Sequence, residues 1–383
     1  MTERKVVLRG SIRVDARRAR AKLREHLLVD LRSYSLELAR AAVALGAGAM
    51  SVSWDADDVR FAFDGPPLSA GRLEHLLDFA LSDSDDAHAA PLRCLALGVN
   101  AALGLGVALV TVTGTDGGQA WAVRLTPQTL DDESEEIRAV ACAVPDDAFP
   151  RGTHIHVRRK LGLAVLRRAI STETPPEISL LVAHTRGAPL ALSCNGAPVV
   201  RPPEAPVLLR VPFTLPGARR AAVEVALTRA PQGVELMERG VRLLAYAWVP
   251  LSGLGNTTDT VIPARVVVDA DELPTNASRS ALREDTPLAR ELRPAAEAAF
   301  RKALAALVAR HGEAALPEGV EVVLDDAAAW REALGVMACA CVAALRANAE
   351  LDPDVPPPWE RAMSRAIASA AVTCARASSS SPV

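Results

Sequence analysis

The spacing of hydrophobic residues along the chain alternates between the periods of a helix and of a strand. Over Ser35–Leu45 the apolar positions predict a buried helix, which Gly46 and Gly48 can terminate. Met50–Trp54 and Val59–Phe63 alternate apolar with polar residues around a polar turn, a pattern typical of a β-hairpin with one buried face. The chain therefore enters a sheet directly after a buried helix.

Two more helices and a run of strands follow. Ser69 predicts the N-cap of a helix that continues to Leu81, and a second apolar helix starts at Leu92. From Val107 onward the spacing is that of strands. Helices followed by strands predict a layered α/β sandwich for residues 1–160. The strand-like runs read VALVTVTG, AWAVRL, IRAVACAV and THIHVRR, with a turn at Asp116-Gly117-Gly118.

The remaining chain predicts a second α/β domain over residues 161–315. The dipeptide Asn195-Gly196 favours a tight hairpin turn, and the pattern over Pro287–His311 predicts a long amphipathic helix. We expect residues 316–383 to form a short helical region that ends in a disordered tail. Further elements are predicted as a helix at Asp15–Leu28, strands at Val207–Val211, Ala222–Leu227, Val241–Trp248 and Arg265–Asp269, a short strand near Val320 and a helix at Trp330–Ala347.

Composition narrows the class of protein. With 383 residues, a net charge of -3 and 50% hydrophobic residues, the chain is long and apolar enough for two or three domains and disfavours a disordered or strongly basic nucleic-acid-binding protein. Six cysteines do not indicate a disulfide framework, and no signal-peptide pattern opens the sequence. The apolar run Leu95–Val112 contains Asn100 and glycines, so it predicts a buried helix and strand rather than a membrane span. We expect a cytoplasmic protein without nucleic-acid or membrane partners.

Common catalytic signatures are missing from the sequence: it has no phosphate loop, no nucleophile elbow and no H-E-x-x-H zinc motif. His154 and His156 share one face of a predicted strand, but two histidines without a third ligand are more typical of surface residues than of a metal site. What remains is an ordered series of candidates. They are Glu37 on a helix, Asp64 after a strand, an apolar turn at Gly98, Arg151-Gly152-Thr153 at the start of a late strand, and Arg279.

The order and spacing of these residues resemble the amino-terminal and middle domains of the heat shock protein 90 chaperones, of the bacterial HtpG type. Glu37-Leu38 stands where that family has E-L-x-x-N-x-x-D-A, and Asp64-Gly65-Pro66-Pro67 where it has D-x-G-x-G. The segment around Gly98 is similar to the family's glycine segment, and Arg151-Gly152-Thr153 to its R-G-T-x-[IV] element.

The most specific similarity lies in the predicted second domain. The segment Val267–Arg279 reads V-V-D-A-D-E-L-P-T-N-A-S-R and resembles the family's V-V-D-S-x-D-L-P-x-N-x-S-R. Mismatch-repair and sensor-kinase ATPases share the nucleotide fold but lack this segment. The resemblance therefore points to heat shock protein 90 in particular.

The resemblance implies a fold class and a set of roles. The fold is α+β: a two-layer α/β sandwich of the histidine-kinase-like (GHKL) ATPase type, then an α/β middle domain and a short helical C-terminal region. Glu37 would be the general base toward water, and Arg279 would reach the γ-phosphate. Asp64 would accept a hydrogen bond from the adenine amino group, with Thr153 and Gly98 in the same nucleotide site.

Three positions depart from the family pattern. Ala41 stands where the family has the asparagine that binds magnesium, and Pro66 and Pro67 replace glycines, removing two N–H donors. The resemblance implies that the protein binds ATP or ADP. With these departures, we expect no metal ligand at Ala41 and ATP hydrolysis that is weak or lost. If the protein is an enzyme, we expect it to be an ATPase of the heat shock protein 90 type.

Two functional hypotheses stay open beside an unrelated two-domain α/β protein. The first is a chaperone-related protein that acts on client proteins in protein folding and in the stress response. The second is a pseudo-ATPase scaffold or protein-interaction module without nucleotide. The family's carboxy-terminal dimer domain has no counterpart in the roughly 70 last residues, so the sequence leaves dimerisation open.

Overall fold

The computed structural model describes residues 30–81, 89–131, 136–162, 165, 170, 173–200, 206–226, 233–247, 264–276 and 279–337. These residues form two compact units. The first contains the described residues up to Ala183 together with Pro189–Val199, and the second contains His184–Ala188 and the described residues from Val200 onward.

A helix layer covers one face of the first unit. Every side chain from Tyr34 to Ala42 is buried, and the ring of Tyr34 meets that of Phe61 edge-on with 5.7 Å between centroids. Ser69 caps the second helix through the amide of Arg72, as the sequence predicts. The helical elements of this unit are a 3₁₀ turn (Leu31–Ser33), α1 (Tyr34–Ala44), α2 (Ala70–Glu74), a 3₁₀ helix (Leu76–Leu81), α3 (Ala89–Gly104), α4 (Pro127–Asp131) and α5 (Pro176–His184).

The helices pack on an eight-stranded mixed sheet with the order β5-β4-β3-β6-β2-β1-β7-β8. The pairs are antiparallel except that β1 and β7 run parallel. Asn195 and Gly196 form the β7–β8 turn with positive φ angles of 46° and 78°, which confirms the predicted tight turn. The strands are β1 (Ala49–Trp54), β2 (Asp58–Asp64), β3 (Val107–Asp116), β4 (Gln119–Leu125), β5 (Val140–Cys142), β6 (Arg151–Arg159), β7 (Ala191–Cys194) and β8 (Ala197–Pro198).

The two faces of this sheet differ in chemistry. Phe61, Ile155 and Val112 are cross-strand neighbours on the face that the helices cover, and all three are fully buried. The opposite face carries polar side chains, among them His154 and His156. The prediction that both histidines are surface residues is wrong for His154, which is only 4% exposed. Desolvation lowers the pKa of the His154 imidazole, and the nearby carboxylate of Asp147 opposes this effect.

The second unit contains a six-stranded sheet with the order β12-β11-β13-β10-β9-β14, in which β11 and β13 are parallel. Helix α6 (Pro287–His311) has the predicted bounds; Thr286 caps it and Pro287 occupies its first turn. It packs on the sheet through Phe300, beside a helical segment at 327–337. The strands are β9 (Val207–Pro212), β10 (Ala218–Ala226), β11 (Gly233–Glu238), β12 (Val241–Ala247), β13 (Ala264–Ala270) and β14 (Glu321–Val322).

The α+β class expected from the sequence is confirmed. The predicted helix after Ser69 differs in detail, because α2 ends at Glu74 and continues as a 3₁₀ helix. Strand β11 was missing from the sequence-based prediction. Among the described residues, no helix combines the length and apolar character needed to cross a bilayer. Several predicted elements lie outside the described residues, namely the helix at Asp15–Leu28, residues 338–347 of the helix at Trp330–Ala347, and the C-terminal tail.

A buried acidic residue holds three strands of the second unit together. Glu224 on β10 is 2% exposed and lies between Arg210 on β9 and Arg265 on β13, each with its Nε 2.9 Å from a Glu224 oxygen. Arg220 is a third partner. Burial acts to raise the pKa of Glu224, but the arginine charges and hydrogen bonds outweigh it, so the pKa lies below its ordinary value.

We expect Glu224→Gln to lower the free energy of unfolding by about 2–3 kcal/mol, because it removes the buried charge that pairs with the partly buried Arg210 and Arg265. Glu321→Gln is the control, since Glu321 is exposed and approaches the same Arg210 at only 3.5 Å; its cost should stay within about 1 kcal/mol. Because the pKa of Glu224 is lowered by folding, its contribution is present above the ordinary glutamate pKa and is lost as the pH falls. Chemical denaturation at pH 7 and pH 4 measures both effects, and equal costs for the two variants would contradict them.

Candidate functional site

Glu37, the predicted general base, lies inside the helix layer. It is 2% exposed on α1, and its Oε2 accepts a hydrogen bond from Nη1 of Arg40 at 2.6 Å. Arg40 is 1% exposed, so both charges are shielded from solvent. A buried carboxylate and a buried guanidinium stabilise each other at this distance, whereas either one alone would be costly. One oxygen of the predicted base is therefore engaged by a cation.

Gly98, predicted in an apolar turn, lies within helix α3, so that prediction is wrong. A Cβ atom at this position would be 2.9 Å from Cδ2 of Leu38 and 3.2 Å from Cβ of Glu37. It would also be 3.2 Å from the carbonyl oxygen of Tyr34. The glycine therefore allows α3 to approach α1 closely, at the turn of α1 that carries Glu37. The apolar residues around Gly98 continue the helical period, which explains why a helix forms here.

Asp64 ends strand β2, as the sequence predicts. Its Oδ1 accepts hydrogen bonds from the backbone amides of Gly48 and Ala49, both at 2.8 Å. The carboxylate thus holds the start of β1 against the end of β2. Gly48 lies close to the other oxygen as well, because a Cβ there would be 3.7 Å from Oδ2.

Thr153 lies on β6 directly opposite Phe63, and the preceding Gly152 lies opposite Asp64. The structure therefore brings Asp64 and Thr153 to the same end of two paired strands. Thr153 is 2% exposed, and its Oγ1 has no hydrogen-bond partner among the described residues. A buried hydroxyl without a partner costs about 1–3 kcal/mol, so such groups in proteins commonly belong to a site for a ligand or water.

The residues present do not fit a magnesium ion. Ala41, in the place of the family's metal-binding asparagine, is fully buried and offers no oxygen. Pro66 and Pro67 follow the turn at Gly65 and have no amide hydrogen to donate to a phosphate. A three-aspartate cluster, Asp55, Asp57 and Asp58, occurs at the β1–β2 turn, where the amides of Asp57 and Asp58 bind Oδ1 of Asp55 as ordinary turn chemistry.

Arg279, the predicted γ-phosphate contact, belongs to the second unit. Its Nη1 lies 3.6 Å from Oε2 of Glu238, whose side chain is 5% exposed, and the same oxygen accepts a hydrogen bond from the amide of Leu273. Arg279 has a φ of 51°, a left-handed conformation that is uncommon for arginine. Its position is therefore fixed by a buried carboxylate and by the turn that precedes it.

Two side chains of the segment Val267–Arg279 hold turns in the second unit. Asn276 accepts hydrogen bonds from the amides of Ser280 and Ala281, which closes a turn after β13. Asp269 Oδ1 accepts a hydrogen bond from the amide of Gly240 in the β11–β12 turn. Burial raises the pKa of Asp269, with this hydrogen bond acting in the opposite direction. Ala277 and Ser278 lie outside the described residues.

Two pairs of predicted residues are thus brought together in the first unit: Glu37 with Gly98, and Asp64 with Thr153. The catalytic and binding roles of these residues and of Arg279 stay predictions. Sequence reasoning missed Arg40, although the E-x-x-R spacing on a buried helix is itself a signal, since residues three apart share one helix face.

Comparisons with known proteins add little to this geometry. No protein-family model matches the chain, and no curated protein matches it in sequence. Among solved structures, the chain is similar to the crystal structure of the B-subunit of the DNA gyrase from Myxococcus xanthus, with 13% identity and a TM-score of 0.45 over 72% of this chain and 89% of that one. A likeness this weak carries no argument about function, and nothing in the comparisons supports heat shock protein 90 specifically.

Gly98→Ala tests whether the glycine is needed for helix packing. Because a Cβ would press on Leu38, Glu37 and the Tyr34 backbone, we expect a loss of about 1–3 kcal/mol in the free energy of unfolding. The control is Gly71→Ala on α2, where a Cβ has no neighbour within 4 Å; this change should be neutral or stabilising by up to about 1 kcal/mol. A Gly98→Ala protein as stable as the wild type would contradict the packing role.

Proposed function

We propose that the protein is a nucleotide-binding member of the GHKL ATPase type that has lost hydrolysis. The observation that carries the proposal is the buried ion pair of Glu37 and Arg40. A general base must offer a free carboxylate oxygen to the attacking water, within hydrogen-bond reach. Here Oε2 of Glu37 is engaged by Arg40 at 2.6 Å inside a packed helix layer.

The absence of a metal ligand at Ala41 supports the same conclusion. Phosphoryl transfer depends on neutralising the charge that develops on the phosphate oxygens, and magnesium normally supplies most of that neutralisation. The alanine has no atom that could hold the ion, and the two prolines after Gly65 cannot donate hydrogen bonds. Under this proposal, the protein therefore binds nucleotide without hydrolysing it.

Retention of adenine binding is supported by Asp64 and Thr153. Oδ1 of Asp64 accepts two backbone amides, and its Oδ2 is left for an adenine amino group. The buried hydroxyl of Thr153 gains a hydrogen-bond partner when a ligand or its associated water occupies the site, which repays its desolvation.

A relationship to heat shock protein 90 chaperones, with client proteins as partners, is supported by the segment Val267–Arg279. Under this proposal, nucleotide binding sets the conformation of the first unit, and client proteins bind to it without a cycle of ATP hydrolysis. The alternative is a scaffold protein that binds no nucleotide. Direct measurements of nucleotide binding distinguish these two proposals.

Thr153→Val tests nucleotide binding directly, because it should stabilise the ligand-free protein and at the same time weaken nucleotide binding. Removing a buried hydroxyl that has no partner should raise the stability of the ligand-free protein by about 1 kcal/mol, while ATP and ADP binding weaken. Asp64→Asn keeps the Oδ1 acceptor for Gly48 and Ala49 and should weaken binding by roughly tenfold. Calorimetry with ATP and ADP, and chemical denaturation without ligand, measure these effects.

Binding should be the same with and without magnesium, and no phosphate release should exceed the buffer background. Folded protein that gives no heat at millimolar ATP would contradict nucleotide binding. Magnesium-dependent phosphate release that Glu37→Ala abolishes would contradict the loss of hydrolysis.

A further inference from the structure

The polar face of the first unit's sheet forms the floor of an open cleft of about 1120 Å³. Residues of the segment 136–147, among them Val140 and Cys142, form one wall. His154 lines this cleft, whereas Thr153, the next residue along β6, points to the opposite face because side chains alternate along a strand. Glu37, Asp64, Gly98 and Thr153 are not among the residues that line the cleft, so it is distinct from the proposed nucleotide site.

A row of polar side chains crosses the floor of the cleft. Arg60, His156, Thr111 and Arg124 are directly opposite one another on β2, β6, β3 and β4. Neighbouring strands lie about 4.8 Å apart, so the row spans roughly 14 Å. Arg158, two residues after His156, lies on the same face of β6 and also lines the cleft.

The charge of Arg60 is neutralised within this row. Its Nη2 lies 2.7 Å from Oδ2 of Asp58 and 3.5 Å from Oδ2 of Asp55. The other oxygen of Asp58 is 2.8 Å from Nε2 of His156. At one end of the row, these residues are therefore paired with one another.

Arg124 and Arg158 differ from Arg60. Both are exposed to the cleft, and neither has an ion pair or hydrogen bond among the described residues. They lie on β4 and β6, the two strands that flank β3, where Arg124 is opposite Thr111 and Arg158 is opposite Leu109. Two guanidinium groups without an ion-pair partner among the described residues thus line the same cleft, and Thr111 is the neighbour of one of them.

Most acidic residues of the cleft are already engaged. Oδ1 of Asp147 lies 3.0 Å from Nε2 of His154, and its Oδ2 accepts a hydrogen bond from Oγ of Ser53 at 3.2 Å. Glu136 pairs with Arg138. Asp146, at the exposed rim, is the remaining acidic lining residue, so positive charge is in excess between Arg124 and Arg158.

We propose that this cleft binds the phosphate group of a small organic phosphate, held by Arg124 and Arg158, with the hydroxyl of Thr111 beside Arg124 as a further donor. A phosphate monoester has three strong acceptor oxygens, which two guanidinium forks and one hydroxyl can share. A planar carboxylate is satisfied by a single guanidinium fork and gains little from a second one on another strand. The cleft is large enough for the remainder of a small ligand, and Leu109, Ala122 and Val140 provide apolar contacts.

Calorimetry of the full chain with pyrophosphate as the probe tests this site, with citrate at equal ionic strength as the carboxylate comparison. We expect pyrophosphate to bind and citrate to bind at least tenfold more weakly. Arg124→Gln and Arg158→Gln should each weaken pyrophosphate binding by roughly tenfold or more, as expected for a lost charge-assisted hydrogen bond. Arg72→Gln removes the same charge from an exposed position on α2 and should leave binding unchanged.

A second readout uses Cys142, an exposed free cysteine that lines the cleft. Pyrophosphate should slow its alkylation by iodoacetamide, measured by peptide mass mapping, in the wild type but not in Arg124→Gln. Arg124→Gln should leave the Asp64-dependent binding of ADP unchanged, which separates this site from the proposed nucleotide site. Absence of binding in folded protein, equal binding of citrate, or binding that survives both arginine substitutions would overturn the proposal.

Discussion

A carboxylate and a guanidinium, 2.6 Å apart and both almost fully buried, lie at the centre of the first unit's helix layer. Taking two charges out of water costs several kcal/mol for each ion, and only a close, well-oriented pair recovers that cost. Helix α1 is buried over all residues from Tyr34 to Ala42, so neither Glu37 nor Arg40 can reach solvent by a small movement. Helix α3 approaches α1 closely at Gly98, on the turn of α1 that carries Glu37, so the pair lies next to the contact between the two helices.

The same interaction bears on the chemistry proposed for the first unit. In the proposal, the glutamate oxygen that holds a buried arginine does not serve as a base for water, and Ala41 offers no oxygen to a metal. Asp64 and Thr153 lie at one end of β2 and β6 and carry the polar groups that the proposed adenine site uses. The proposed phosphate cleft lies on the polar face of the sheet, and none of these residues lines it.

Local patterns in the sequence predicted much of the fold. The alternation in the β1–β2 hairpin and the helical period of α6 are strong because each element has one buried face, and Ser69 and Thr286 cap helices as such residues should. The parallel pairing of β1 with β7 could not be predicted, because it joins residues 142 positions apart and leaves no local pattern. Strand β11 buries alternate residues, but Glu238 takes a buried position and Met237 a partly exposed one, which breaks the apolar alternation in the sequence.

The site was predicted less well than the fold, since motif spacing says nothing about what a side chain contacts. Glu37 and Asp64 lie on the expected elements, yet each contacts groups that the sequence comparison did not identify: Arg40 for one, the amides of Gly48 and Ala49 for the other. Gly98 was placed in a turn because the family pattern has a glycine segment there. In this chain the surrounding residues are helix-forming, and the glycine allows helix packing instead.

A double-mutant cycle on Glu37 and Arg40 measures how strongly the two buried charges stabilise each other, using the free energy of unfolding from chemical denaturation. Glu37→Leu and Arg40→Leu should each cost about 3–5 kcal/mol, since each leaves one buried charge alone, and the double variant should return close to the wild type. The coupling energy should therefore be several kcal/mol. Single variants that cost less than about 1 kcal/mol, with no coupling, would show that Glu37 is not held by Arg40 and would contradict the reason proposed for the loss of hydrolysis.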